Sequence, residues 1–216
     1  MRDFRVGTTV LVDTGMSRVH IGDPRATFRG TPAEDALVPD MAPEDDLEAR
    51  LLSLEVVPRD VDYVVNTHLH PDHAGNNDLF RRATFLVQRE HHALAVGNAG
   101  FPNQYWNLPG YRYELLDGER ELFGGVETIL TPGHTPGHQS VLVRLPDTGN
   151  TVICGDAVCV QANYDHDNWL GQADPAIARA SALKLLDIAE REDAVLLNGH
   201  DADQSARYPR APHRYS

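Results

Sequence analysis

The sequence predicts an α/β sandwich, and two observations carry that expectation. Short apolar strands outnumber helices and the two kinds of element mix along the chain rather than segregating. Every histidine- or acid-rich loop also follows directly on one of those strands: "VVN" runs into "THLHPDH", "TIL" into "TPGHTPGH", "VIC" into "GD" and "VLLN" into "GHD". Strand ends gathered at one sheet edge would bring these loops into a single site. At 216 residues the chain fits one domain with a sizeable core. No repeat, low-complexity tract or hinge-like composition divides it, so residues 1–216 are expected to form a single domain.

In order, "FRVGTTVLVD" reads as a strand ending at "DTG", and residues 16–42, with Pro24, Pro32 and Pro39, form a long irregular stretch of the kind that is usually functional. "APEDDLEARLLSL" predicts an amphipathic helix, with Pro43 at a first helical position, acids in the first turn, and Leu47, Leu51 and Leu54 on one face. "VDYVVN" and "ATFLVQ" are strands and "REHHALAV" is a helix, while the aromatic "GFPNQYWNLPGYR" reads as a loop at a pocket edge. Five short strands follow, "YELL", "RELF", "VETILT", "QSVLVRL" and "TVICG". "DPAIARASALKLLDIAERED" is then the longest helix, with Asp174 as N-cap and Pro175 in the first turn, and "AVLLN" is the last strand.

Composition excludes several classes. The formal charge is −13, and all 19 basic residues except Lys184 are arginines, scattered without a cluster, so nucleic acid is not an expected partner. No apolar run approaches the roughly 20 residues of a membrane span, and the beginning of the chain carries no secretory or lipidation signal, so no membrane partner and a cytoplasmic location are expected. Cys154 and Cys159 lie too close together to staple a fold and read as thiols.

The chemistry sits in the histidine loops. In an extended segment residues two apart face the same way, so His68 and His70 point together while Leu69 packs behind them. Pro71 ends that run, and the redirected chain aims Asp72 and His73 at a second point, an arrangement suited to two metal ions about 3.5–4 Å apart. Imidazole nitrogen and carboxylate oxygen are the donors expected of zinc, and also accommodate iron, manganese or cobalt. Water held by such ions has its pKa lowered from about 15.7 toward about 7, which makes a hydrolytic nucleophile available at neutral pH. On residues alone, either His134 or His138 of "PGHTPGH" can complete the set.

The motifs "THLHPDH", "TPGH", "GD" and the late "GH" resemble, in order and kind, the metallo-β-lactamase superfamily of metal-dependent hydrolases, over most of the chain. The resemblance implies an αββα sandwich and two divalent ions, with zinc expected. It implies that His68, His70 and His134 bind one ion, that Asp72, His73 and His200 bind the other, and that Asp156 bridges them; it selects His134 over His138. More narrowly, "VDTGM", "THLHPDHAGNN", "LVQREHHA", "TPGHTPGHQSV", "GDA" and "NGHDADQ" resemble the N-acyl-homoserine lactonase branch. That implies a small lactone substrate opened by hydrolysis, with Asp72 or Asp156 shuttling the proton to the leaving alkoxide. A thioester or other ester hydrolase, or a catalytically silent metal-binding protein, is the alternative.

The sequence departs from that branch in two places. Members commonly carry a tyrosine three residues after the bridging aspartate, where this chain has Cys159; Tyr164 or His166 in the same loop could supply a replacement donor. Members also have further strands before "VDTG", where this chain has room for one. The fold is therefore expected with its N-terminal strands shortened, and a homodimer is expected to cover the resulting sheet edge.

The remaining histidines, His20, His91, His92, His138, His166 and His213, read as surface or core residues. Asp13 either orients a ligand histidine or caps a turn. Phe101, Tyr105, Trp106, Tyr111 and Trp169 read first as loop packing and second as an acyl pocket.

Overall fold

A computed structural model describes residues 7–209, 213 and 215. Strand β1 (Val10–Val12) is shorter than the expected first strand: residues 7–9 are not strand, and residues 4–6 lie outside the described residues. The stretch after it holds a four-residue helix, α1 (Val19–Gly22), among successive turns. The expected helix over "APEDDLEARLLSL" begins later than predicted: Pro43–Asp45 is a 3-10 turn and α2 is Leu47–Ser53. Asp46 is the reason. Its backbone is extended and its carboxylate accepts the amides of Glu48 and Ala49, so the helix starts at this cap rather than at Pro43.

Beyond α2 come β2 (Tyr63–Val65), the single turn α3 (Pro71–Ala74), β3 (Thr84–Gln88) and α4 (Arg89–Ala95). The aromatic loop is not wholly irregular, since Asn103–Trp106 forms α5 before β4 (Arg112–Leu116). Next are β5 (Arg120–Phe123), β6 (Val126–Leu130), β7 (Gln139–Val143), β8 (Asn150–Gly155), α6 (Gln161–Asp165), α7 (Pro175–Glu192), β9 (Ala194–Asn198) and α8 (Ala202–Ser205). Among the described residues no helix is long and apolar enough to cross a membrane.

These elements make the mixed α/β fold with two sheets that the sequence predicts, and the chain divides into two compact units. The first comprises residues 7–86 and 95–114. Its sheet has the order β1-β2-β3-β4, with β1 and β2, and β2 and β3, paired in parallel. A core of Leu51, Val61, Val64, Phe80, Ala83 and Phe85 anchors it. Parallel pairing leaves long connections between strands, and the segment from β2 to β3 is where the "THLHPDH" motif lies.

The second unit comprises residues 87–94 and the described residues from 115 onward. Strands β5 to β8 are antiparallel neighbours and β9 joins β8 in parallel, with α7 as the crossover. Asp174 caps α7 by accepting from the amides of Ala176 at 3.1 Å and Ile177 at 3.0 Å. Along the helix Ala178, Ser181, Ala182, Leu185 and Ile188 are buried at spacings of three and four. The apolar ones, Ala178, Ala182, Leu185 and Ile188, pack with Ile129, Leu142, Val152 and Cys154 of the sheet. The small residues Ala178 and Ala182 let the helix approach the chain closely: a Cβ on Gly133 would lie 2.3 Å from the Ala178 Cα, so only glycine fits the start of the "GHTPGH" turn.

Replacing Asp174 with alanine is expected to lower stability by about 1 kcal/mol, with asparagine restoring most of it, in urea unfolding curves. Equal midpoints for the alanine variant and the native protein would show that α7 is held by its buried face alone.

Candidate metal centre

In the first unit the motif histidines leave β2 and are aimed by Asp13. This residue has a left-handed backbone, φ 56°, and its amide donates to the Val65 carbonyl, which turns its carboxylate toward the motif. One oxygen accepts from the Thr67 amide at 2.7 Å; the other accepts from the Thr67 hydroxyl and from His73 Nδ1, both at 2.8 Å. Asp13 therefore orients His73, one of the histidines that the resemblance puts among the ligands. With Nδ1 of His73 committed as donor, the nitrogen it presents to the Asp72 carboxylate is Nε2, 3.6 Å away. The Thr67 hydroxyl, having donated to Asp13, accepts from His68 Nδ1 at 3.1 Å.

That leaves Nε2 of His68 with its lone pair, and this nitrogen sits 2.9 Å from Nδ1 of His70. Two ring nitrogens at this distance suit a shared cation, as the alternating directions of the sequence predict. Leu69 is buried behind them. Pro71 does more than end the extended run: it opens α3, which carries Asp72 and His73. The following "AGNN" is stitched to "DTGM": the Asn76 side-chain amide donates to the carbonyls of Thr14 at 2.8 Å and Met16 at 2.7 Å. Phe101 lies flat on the His70 ring, with centroids 4.7 Å apart and planes 8° from parallel.

In the second unit the acid of "GD" is the centre. The Asp156 side chain, 7% exposed, lies between two rings: Oδ2 is 3.3 Å from both His134 Nε2 and His200 Nε2, and Oδ1 is 3.1 Å from His200 Nε2. Such a geometry suits a carboxylate shared by two cations. Gly199 makes room for it, since a Cβ there would lie 2.8 Å from Asp156 Oδ1 and 2.6 Å from the Gly155 carbonyl.

Three residues outside the predicted set hold this arrangement. His138 is fully buried, and its Nε2 accepts from the Asp156 amide at 3.0 Å. Its Nδ1 is then the protonated nitrogen and donates to Thr131 Oγ1 at 2.9 Å, from which the chain runs through Ser140 to the Cys154 carbonyl. Gln172 accepts from His134 Nδ1 at 2.9 Å and donates to the Asp156 carbonyl at 3.3 Å. His91 donates to the Pro136 carbonyl at 3.0 Å and so secures the "PGHTPGH" turn; burial lowers its pKa to about 4. The sequence signal for His138 was the doubled "PGH", whereas Gln172 lies in an irregular loop with no local signature.

Of the two candidate replacement donors, one packs into the core. Tyr164 turns its hydroxyl to the Ala182 carbonyl of α7 at 3.4 Å and packs edge-on against Trp169, and burial raises its pKa, so it serves the core. His166 is exposed at the end of α6. The Cys159 thiol itself lies 3.8 Å from the Gln172 side-chain nitrogen. Most of the aromatic residues pack loops, as expected: Trp106 donates to the Phe101 carbonyl, Tyr105 is bonded to Thr27, and Tyr111 stacks on Phe85.

Residues 5–200 match the metallo-beta-lactamase superfamily, so the chain belongs to that family of metal-dependent hydrolases. More particularly, it is 31% identical over 195 residues to the N-acyl homoserine lactonase AiiA of Bacillus thuringiensis subsp. kurstaki, covering 90% of this chain and 77% of that protein. It is 33% identical over 222 residues to the lactonase AttM of Azorhizobium caulinodans, covering 95% and 82%. The structure of a B. thuringiensis AiiA mutant with N-decanoyl-L-homoserine bound at its active site superposes with a TM-score of 0.87 at 30% identity, over 94% of this chain and 81% of that one. An N-acyl homoserine lactone hydrolase with N-hexanoyl-L-homoserine bound at its catalytic metal centre gives the same TM-score, identity and coverage.

Burial of His91 makes stability depend on pH. The unfolded chain takes up this proton near pH 6.5 and the folded protein only near 4, so protonation favours unfolding between them. The stability involved is fully present above that window and falls with pH inside it, by at most about 1.4 kcal/mol per pH unit. In urea titrations at about pH 7 and about pH 5, a His91→Gln variant is expected to lose less stability between the two than the native protein; equal losses contradict the assignment.

Proposed function

We propose that the two clusters are halves of one dinuclear centre in a single catalytic domain, and that the protein opens the ring of an N-acyl homoserine lactone. In this reading His68, His70 and His134 hold one ion, Asp72, His73 and His200 hold the other, and Asp156 serves both, with zinc as the ion that the donor set favours. The observation that carries it is the buried Asp156 carboxylate, within 3.3 Å of both His134 Nε2 and His200 Nε2. Relatives above 30% identity that are named as lactonases support the substrate class.

Bound ions would supply the Lewis acidity that polarises a lactone carbonyl and activates water. The protein's own groups do the rest. Asp13 and Gln172 each fix the proton on one nitrogen of a histidine, so the opposite nitrogen is the donor toward a cation. Ring opening produces an alkoxide that needs a proton. Of the two candidate carboxylates Asp156 is nearly sealed, while Asp72 is 34% exposed, which makes Asp72 the group able to take a proton, exchange it with solvent and deliver it to the leaving oxygen.

Proton release followed at constant pH tests the proposal without a chromogenic probe. The metal-loaded protein is expected to release one proton per N-acyl homoserine lactone consumed, and Asp156→Ala to reduce the rate at least about 100-fold, the scale of losing one electrostatic stabiliser of a transition state. Release from thioesters but not from lactones would move the assignment to the ester-hydrolase alternative.

A further inference from the structure

Gln172 stands in the turn between Trp169 and Asp174, ahead of α7, and is 8% exposed. The turn is pinned at both ends: the Gln172 amide donates to the Trp169 carbonyl at 3.1 Å, and the Asp174 amide donates to the Gly133 carbonyl at 2.9 Å, directly beside His134. The side chain reaches two residues of the second-unit cluster at once. Its nitrogen faces the Asp156 carbonyl, which is only an acceptor, so the amide has one permitted orientation: NH2 toward Asp156 and oxygen toward His134. An amide oxygen is likewise only an acceptor, so the nitrogen opposite it, Nδ1 of His134, carries the proton.

We propose that Gln172 is a positioning residue that sets the tautomer of His134, reserving Nε2 as the nitrogen offered to a metal ion. The proposal rests on the dinuclear reading above for the identity of that ion. In isolation an imidazole prefers its proton on the other nitrogen, which would block the ring from coordinating through Nε2. Asp13 does the same service for His73 with a full negative charge. A neutral amide in the corresponding role at His134 adds no further charge beside the buried Asp156 carboxylate and ties that residue's backbone to the ring it faces.

Two variants separate this role from simple packing. Gln172→Leu keeps the bulk and removes both hydrogen bonds; Gln172→Glu keeps an acceptor oxygen beside Nδ1 and loses the donor to Asp156. In chelator competition with zinc, Gln172→Leu is expected to weaken one of two bound ions by about 10–100-fold and to leave the other nearly unchanged, with Gln172→Glu recovering most of the loss. In ¹⁵N-histidine spectra the His134 Nδ1–H signal, assigned by its disappearance in His134→Ala, is expected to exchange slowly in the native protein and in Gln172→Glu, and rapidly in Gln172→Leu.

Undiminished affinity for both ions in Gln172→Leu, or a protected Nδ1–H without Gln172, would overturn the proposal. Fewer than two ions in the native protein would instead contradict the dinuclear reading, and the Nδ1–H signal would still decide the role of Gln172: loss in Gln172→Leu sustains it, persistence overturns it.

Discussion

A carboxylate held almost out of solvent between two imidazoles is the constraint on which the second unit is built. Asp156 cannot be placed there unless the chain around it yields space and its polar groups are met, and each neighbour answers one of those demands. Gly199 omits the side chain that would strike the carboxylate, His138 accepts from the Asp156 amide, and Gln172 donates to its carbonyl. The bonding extends from His138 through Thr131 and Ser140 to the carbonyl of Cys154, within β8 itself. The strand that carries the acid is thereby braced from its own interior, and α7 packs on the same region of the sheet.

The first unit solves the matching problem with charge. A neutral imidazole has one proton and one lone pair, and a histidine is useful to a cation only if the proton is on the other nitrogen. Asp13 achieves this for His73 directly and for His68 through Thr67, so a single carboxylate in a left-handed turn orients two rings. The neighbouring asparagines do no chemistry in this account. They fasten the segment after the motif to the one containing Asp13, which keeps acceptor and rings in register.

How much of this was legible in the sequence depended on whether a role was local. The alternation of His68, Leu69 and His70 gave the common direction of the two rings, and the strand-then-loop rhythm located all four motifs. The cap and first-turn proline of α7 were readable because capping is a short-range effect, and α2 was misplaced for the same reason: Asp46 competes with Pro43 as a start signal and its side-chain bonds decide the outcome. His138 reads from the sequence as a surface or core histidine and is buried, but its bond to the Asp156 amide joins residues eighteen positions apart. Gln172 lies 38 residues from His134 and in a loop without periodicity, so no pattern exposed it. Tyr164 is the opposite case: its nearness in sequence to Cys159 suggests chemistry, while its packing against α7 gives it to the core.

The central claim is that seven side chains serve two ions through one shared carboxylate. Crystals of the zinc-loaded protein, with anomalous scattering recorded on either side of the zinc absorption edge, test it most directly. The account predicts two zinc peaks per chain about 3.5–4 Å apart, with Asp156 contacting both, His68, His70 and His134 around one, and Asp72, His73 and His200 around the other. A single fully occupied peak, or two peaks neither of which touches Asp156, would contradict it.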